Sequence, residues 1–178
     1  MLKNLSIIAL FVGIVILLPY AQAESAETCS KLVDLHIPGM DVEITGAKSI
    51  PSSTLPKSPF GGGFSGTIPP HCRVDGVMEP RIGVNDISYG IGFAITLPAD
   101  WNGRLLFQGG GGLNGTVQDP LGINASGDKP ALTRGFAVVS TDSGHKGKGS
   151  FDGDFLADQE ATLNFLYQAN GKIAEQRK

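Results

Sequence analysis

Several shortages bound what this chain can be. Among its 178 residues there are only two cysteines, Cys29 and Cys72, and without a nearby histidine pair two thiols make a poor zinc site. Its 14 lysines and arginines are scattered among 17 acidic residues for a net charge of −3. With no basic run there is no phosphate-tracking footprint, so nucleic acid is not an expected partner. The apolar run at Ile7–Leu18 falls short of the ~20 residues that span a bilayer. No G-x-S-x-G elbow occurs, which removes the usual signature of a serine hydrolase nucleophile. Asp152, Asp154 and Asp158 lack the spacing and closing Glu of an EF-hand, so they read as a solvated acidic stretch and no metal ligands are assigned.

What is present starts with an export signal. Lys3, the short apolar core and the small-x-small site Ala21-Gln22-Ala23 make residues 1–23 a signal peptide, with the mature chain beginning at Glu24; a retained helix is the competing reading. The expected location is secreted or periplasmic, with no membrane contact after signal removal. In that oxidising setting Cys29 and Cys72 are expected to pair. Residues 24–70 read as a loop-rich segment, because Pro51, Pro56, Pro59, Pro69 and Pro70 alternate with serines and with Gly61–Gly63, which predicts no regular structure over 46–70.

From residue 71 the pattern changes. Arg73–Met78 is a candidate strand, and Ile87–Leu97 places Ile87, Tyr89, Ile91, Phe93, Ile95 and Leu97 at period two, as a half-buried strand does. Asp100-Trp101-Asn102-Gly103 reads as a tight turn into a short strand, Leu105–Phe107, which runs straight into four glycines, Gly109–Gly112. Consecutive glycines cost backbone entropy and pack nothing. After a strand they leave amide N–H groups able to hold an anion, a phosphate or a developing oxyanion; a merely flexible turn is the plainer alternative. Pro130–Arg134 opens a short helix, and Phe136–Ser140 is a continuously apolar run, as in a buried parallel strand. The polar loop Thr141–His145 follows, then a helix capped by Asp158 with Leu163, Leu166, Ala169 and Ile173 on one face. The layout is α/β, with an antiparallel start.

The residues Pro70-His71-Cys72-Arg73-Val74, Leu97-Pro98, Trp101-Asn102-Gly103-Arg104, Gly109–Gly112 with Asn114-Gly115, Arg134-Gly135-Phe136-Ala137 and Ser140–His145, continuing to Tyr167-Gln168-Ala169, resemble in collinear order the tannase/feruloyl esterase family of exported serine esterases. The resemblance implies the N-terminal portion of an α/β-hydrolase sheet, truncated before the nucleophile strand, with residues 71–178 as a partial core. It implies a carboxylic ester hydrolase acting on aromatic esters, galloyl, feruloyl or similar, with a small aromatic ester as partner. Gly112 would supply one oxyanion amide, with Gly110 and Gly111 shaping its approach. The family's serine, acid, histidine and calcium-carrying lid match nothing in these residues, so no catalytic residue and no cofactor is assigned to this chain.

Other candidates read as structural. Ser143 and His145 sit too close along the chain to form a nucleophile–base pair by local geometry. Asp142 reads as a loop cap rather than a catalytic acid. His71, beside Cys72, reads as part of the disulfide region. An open sheet lacking its next strand is expected to leave Phe136–Ser140 with an unpaired edge. Two functions from different classes remain: the nucleophile-free part of an aromatic-ester hydrolase, and a non-catalytic remnant or small secreted binding protein.

Overall fold

The structure, a computed structural model, describes residues 27–55, 65–123 and 129–174. The expected signal peptide and the Gly61–Gly63 run lie outside the described residues. Seven strands form: β1 (Val42–Ile50), β2 (Ser53–Leu55), β3 (Gly66–Ile68), β4 (His71–Ile82), β5 (Ser88–Pro98), β6 (Leu105–Gln108) and β7 (Ala137–Thr141). Five of them make a mixed sheet in the order β1-β4-β5-β7-β6, and β2 pairs with β3 separately.

The two long strands carry the strongest alternation and pair antiparallel, with Val74 opposite Ile95 and Met78 opposite Ile91. Their register shifts between Met78 and Arg81, where Glu79 takes φ +51°. A bulge of this kind adds local twist, which an open sheet needs. β7 is buried at all five positions, pairs antiparallel with β5 and parallel with β6, and sends Val139 to one face and Val138 to the other. On the first face Ile91, Phe93 and Val139 meet Ala169 and Ile173 of the last helix. On the second, Val138 meets Ile68, Ala131 and Leu132.

That helix starts where the carboxylate of Asp158 accepts from Ala161 N at 2.9 Å, the N-cap expected from the sequence. Asp158 also accepts from Arg81 at 2.5 and 3.0 Å and from Val84 N at 3.1 Å, so one buried carboxylate joins the end of β4, the following turn and the helix. The helix runs through Gln159–Leu163, a π-helical turn at Asn164–Gln168 and Ala169–Ala174. One extra residue per turn rotates the phase. This is why Leu166, expected to face the core, is 64% exposed while Ala169 and Ile173 stay buried.

Three further expectations change. Residues 46–50, read as irregular, are the second half of β1, paired with His71–Asp75 of β4, and Ser53–Leu55 and Gly66–Ile68 of the same stretch form the β2–β3 pair. The helix expected at Pro130–Arg134 is a single 3-10 turn, Leu132–Arg134, ended by Gly135 at φ +79°. The open edge belongs to β6 rather than to the strand after it, because the chain returns from β6 to place β7 between β5 and β6. Cys29 and Cys72 are bridged, fastening the N-terminal segment to the start of β4.

Next to the open β6 edge, one sheet face forms an apolar groove of about 540 Å³ lined by Leu35, Val42, Val74, Ile95, Leu97 and Trp101 among others. Oxidised residues 24–178 will contain no free thiol and gain two hydrogens on reduction. Cys72→Ser, which opens a loop of sequence separation 43, will lower stability by about 4 kcal/mol on the chain-entropy account; two titratable thiols in folded, oxidised material would refute the bridge. Residues 24–178 will also self-associate through the apolar face and open edge, and a monodisperse monomer with one sharp thermal transition in sedimentation and calorimetry would show otherwise.

Candidate functional site

The site is the glycine run and what lies beneath it. β6 is held straight at its start by the turn before it: Asn102 N donates to Gly135 O at 2.8 Å, Asn102 Nδ2 to Arg134 O at 2.7 Å, and Trp101 Nε1 to Arg104 O at 2.8 Å. Past Gln108 the chain leaves the sheet, and Gly109–Gly112 are exposed. A turn closes from Asn114 N to Gly111 O at 2.9 Å, with Gly112 at φ +59°. A side chain at Gly112 would strike the carbonyl oxygen of Ser150, so only glycine fits there on both conformational and steric grounds. The amides of Gly110, Gly111 and Gly112 donate to no acceptor among the described residues.

Buried polar groups support this turn from below. Asn114, itself at φ +53°, donates through Nδ2 to Thr141 O and to Ser143 Oγ, both at 2.8 Å, and a Cβ at Gly110 would collide with its Oδ1. Asn114 thus ties the glycine run to the end of β7. Asp142, the expected loop cap, accepts from Gly144 N at 2.9 Å and from Gly92 N of β5 at 3.0 Å. Its second oxygen occupies the space a side chain at Gly92 would need. Ser143, at φ +65°, accepts from Asn114 and is not bonded to His145 among the described residues.

His145 is 1% exposed, stacks on Phe155 with ring centroids 3.6 Å apart and meets Phe165 edge-on at 5.8 Å. Neither ring nitrogen makes a hydrogen bond among the described residues. Burial lowers its pKa, outweighing the nearby Leu113 and Ser143 backbone. Burial also pushes the Asp142 carboxyl up to about 7, against the pull of the Gly144 and Gly92 amides and of Lys146. Thr141–His145 is therefore a packed turn under the glycines, not a nucleophile–base pair.

The remaining sequence candidates lie elsewhere. His71 is buried at the start of β4, its Nδ1 2.9 Å from Pro69 O, beside the disulfide. Asp158 is spent on Arg81 and the helix cap, while Asp152 accepts from the amides of Lys148 and Asp154. Sequence reasoning missed two contributors. Gly92 is one of several glycines in a strand pattern, and its partner is 50 residues away. The loop of residues 146–153 carries no motif, yet it is tied to the glycine turn by Leu113 N to Ser150 O at 2.8 Å and Gly147 N to Gly115 O at 2.9 Å.

A mixed sheet that begins antiparallel, turns parallel at β6 and β7 and presents bare amides at the strand end is the front of an α/β-hydrolase. Solved structures agree. An esterase from Aspergillus oryzae superposes with a TM-score of 0.56 at 25% identity, over 81% of this chain and 27% of its own. Feruloyl esterase B from the same organism shares the fold, with a TM-score of 0.57 at 22% identity. The profile of the family described as tannase and feruloyl esterase matches residues 72–178, and the chain belongs to that family. Mono(2-hydroxyethyl) terephthalate hydrolase from Piscinibacter sakaiensis is 33% identical over 118 residues, 62% of this chain and 20% of that protein. An uncharacterized esterase of Agrobacterium fabrum is 31% identical over 165 residues, 89% of this chain and 28% of its own length. The chain thus spans between a fifth and three tenths of these relatives.

Asp142 and His145 oppose one another in pH dependence. With its folded pKa raised from 3.8 to about 7, Asp142 favours folding below 3.8 and loses that contribution as pH rises toward 7. With its folded pKa lowered from 6.5, His145 contributes above 6.5 and loses its contribution as pH falls. In the pH window just below 6.5 the two slopes have opposite signs. In Asp142→Asn, stability in urea will rise with pH across that window; in His145→Phe it will fall, each by up to about 1.4 kcal/mol per pH unit. Identical pH profiles in both variants would show that neither group titrates as its surroundings dictate.

Proposed function

We propose that these residues form the oxyanion-binding part of a carboxylic ester hydrolase that acts on aromatic esters of the galloyl or feruloyl kind by a serine mechanism. The observation that carries the reading is the set of undonated amides at Gly110, Gly111 and Gly112 at the end of β6. When an ester carbonyl is attacked, its oxygen becomes an anion, and a pre-aimed N–H stabilises it by about 3 to 4 kcal/mol in the transition state. The Gly112 amide is the donor. Gly111 leaves open space beside it, and Gly110 lets the backbone lie against Asn114. The family membership and the relatives' names support ester hydrolysis. The bridge between Cys29 and Cys72 supports secretion or a periplasmic location.

Among the described residues no nucleophile–base pair stands at the glycine turn. Ser143 is committed to Asn114, and His145 is walled in by Phe155 and Phe165. Half an oxyanion hole stabilises a charge that nothing here generates. Bare amides can also hold a resident anion without chemistry, which is the feature that favours a non-catalytic binding protein as the second reading.

Purified residues 24–178 will not hydrolyse methyl gallate, methyl ferulate or a p-nitrophenyl ester, and a fluorophosphonate probe will not label them. Labelling of Ser143 that His145→Ala abolishes would overturn the assignment of the loop. Joined in frame to the nucleophile-bearing portion of a family esterase, the same residues will support turnover. Replacing the residue-112 amide by an ester linkage there removes only the N–H and keeps φ +59°, which proline could not adopt. That change will lower kcat by about 100-fold or more; unchanged turnover would place the oxyanion elsewhere.

A further inference from the structure

Phe151 is 87% exposed, the most exposed of the large apolar side chains among the described residues. It does not sit on a loose loop. Asp152 N donates to Gly149 O at 3.1 Å, closing a turn with Ser150 and Phe151 at its corner. The carboxylate of Asp152 accepts from Lys148 N at 2.8 Å and from Asp154 N at 3.1 Å, and Lys148 Nζ reaches Asp154 at 3.2 Å. The carbonyl before Phe151, that of Ser150, is the one that receives Leu113 N and closes off the side-chain position of Gly112. An aromatic ring is therefore presented to solvent by a braced turn whose backbone touches the glycine run.

Two more apolar groups lie close to this turn. Leu113 follows Gly112 directly and is half-buried, Leu156 is 55% exposed, and a Cβ at Gly153 would touch the methyl groups of both, at 3.8 and 3.4 Å. The undonated amides of Gly110–Gly112 stand immediately before Leu113 in the chain. In this exposed turn the Asp152 carboxylate accepts from two backbone amides, and Asp154 pairs with Lys148.

We infer that Phe151 is a specificity-determining residue: its ring, with Leu113 and Leu156, forms the platform for the aromatic group of a ligand whose carbonyl or carboxylate oxygen lies on the Gly110–Gly112 amides. The inference rests on the proposed ester-binding role of those amides and adds the part of the ligand that the amides cannot read. Amides recognise only the oxygen. An aryl ring beside them gains offset stacking that an alkyl chain does not, so this surface selects aromatic acyl groups.

The test uses residues 24–178 labelled with ¹⁵N-glycine and ring-labelled phenylalanine, titrated with ferulate and methyl ferulate, with hexanoate as the non-aromatic comparison. Ferulate will shift the amide signals of Gly110–Gly112 and the Phe151 ring together. Phe151→Ala will weaken binding at least fivefold while leaving the other glycine and phenylalanine signals in place, as expected for an exposed side chain, and Phe151→Tyr will restore it. Ferulate binding at the glycines that is unchanged in Phe151→Ala, or matched by hexanoate, would overturn the role of Phe151 while leaving the amide site intact. Glycine amides indifferent to both ferulate and its methyl ester would instead remove the amide site, and the platform with it.

Discussion

The second half of the sheet depends on β7 being enclosed on both edges and both faces. Five residues, Ala137–Thr141, have no exposed position. Val138 and Val139 serve opposite cores, and Ser140 and Thr141 continue the burial into a polar end. Backbone groups in such a place must be satisfied within the protein, and the parallel ladder to β6 and the antiparallel one to β5 do this. From this fixed strand everything near the site is suspended. Asn114 hangs from the Thr141 carbonyl, Asp142 clamps the turn to β5, and β6 is aimed by register against Ala137–Ser140.

The polar layer below the glycines differs from an ordinary loop anchor. Asn114, Asp142 and His145 are each at most 8% exposed. At low local dielectric a satisfied bond is strengthened and an unsatisfied group is costly. Asp142 gains two backbone donors, yet burial still dominates its protonation. His145 stacks on an aromatic face, and its burial favours the neutral form. Burial thus shifts both titratable groups of the layer toward their uncharged forms. An uncharged Asp142 adds no competing field near the glycine amides, whereas an ionised one would oppose an anion held there by Coulomb repulsion.

How much of this was legible in the chain follows from what each signal depends on. The alternation in β5 and the apolar run of β7 are local properties of side chains, and both strands stand where those patterns lie. The capping role of Asp158 was readable for the same reason, and Asp142 was readable as a cap, though not its reach to Gly92. β1 was obscured because its register shifts between Ile44 and Gly46, which breaks the period of two just where prolines begin to suggest a loop. The π-helical turn leaves no trace in composition, so Leu166 was put on the wrong face. Strand order is set by long-range pairing, and no residue in β6 announces that it, and not β7, lies at the edge. The glycine run was legible as bare backbone, but the Ser150 carbonyl that makes Gly112 obligatory comes from 38 residues further on by the numbering.

The strand that aims the amides is also the strand with least support. Among the described residues β6 pairs only with β7, over four positions, and its side chains are all half-buried. In the proposed role an oxyanion donor is effective only if it is already in place when charge develops, since any reorganisation at that moment subtracts from the stabilisation. One ladder cannot provide that rigidity at a strand end where four glycines follow. The missing constraint is supplied across the turn instead: Leu113 is fixed to Ser150, Gly115 to Gly147, and Asn114 to β7, so the glycine turn is gripped at three consecutive residues beyond Gly112. A loop with no sequence motif therefore does for the amides what a neighbouring strand would do for β6, and the flexibility that the composition of Gly109–Gly112 invites is removed by contacts made outside it.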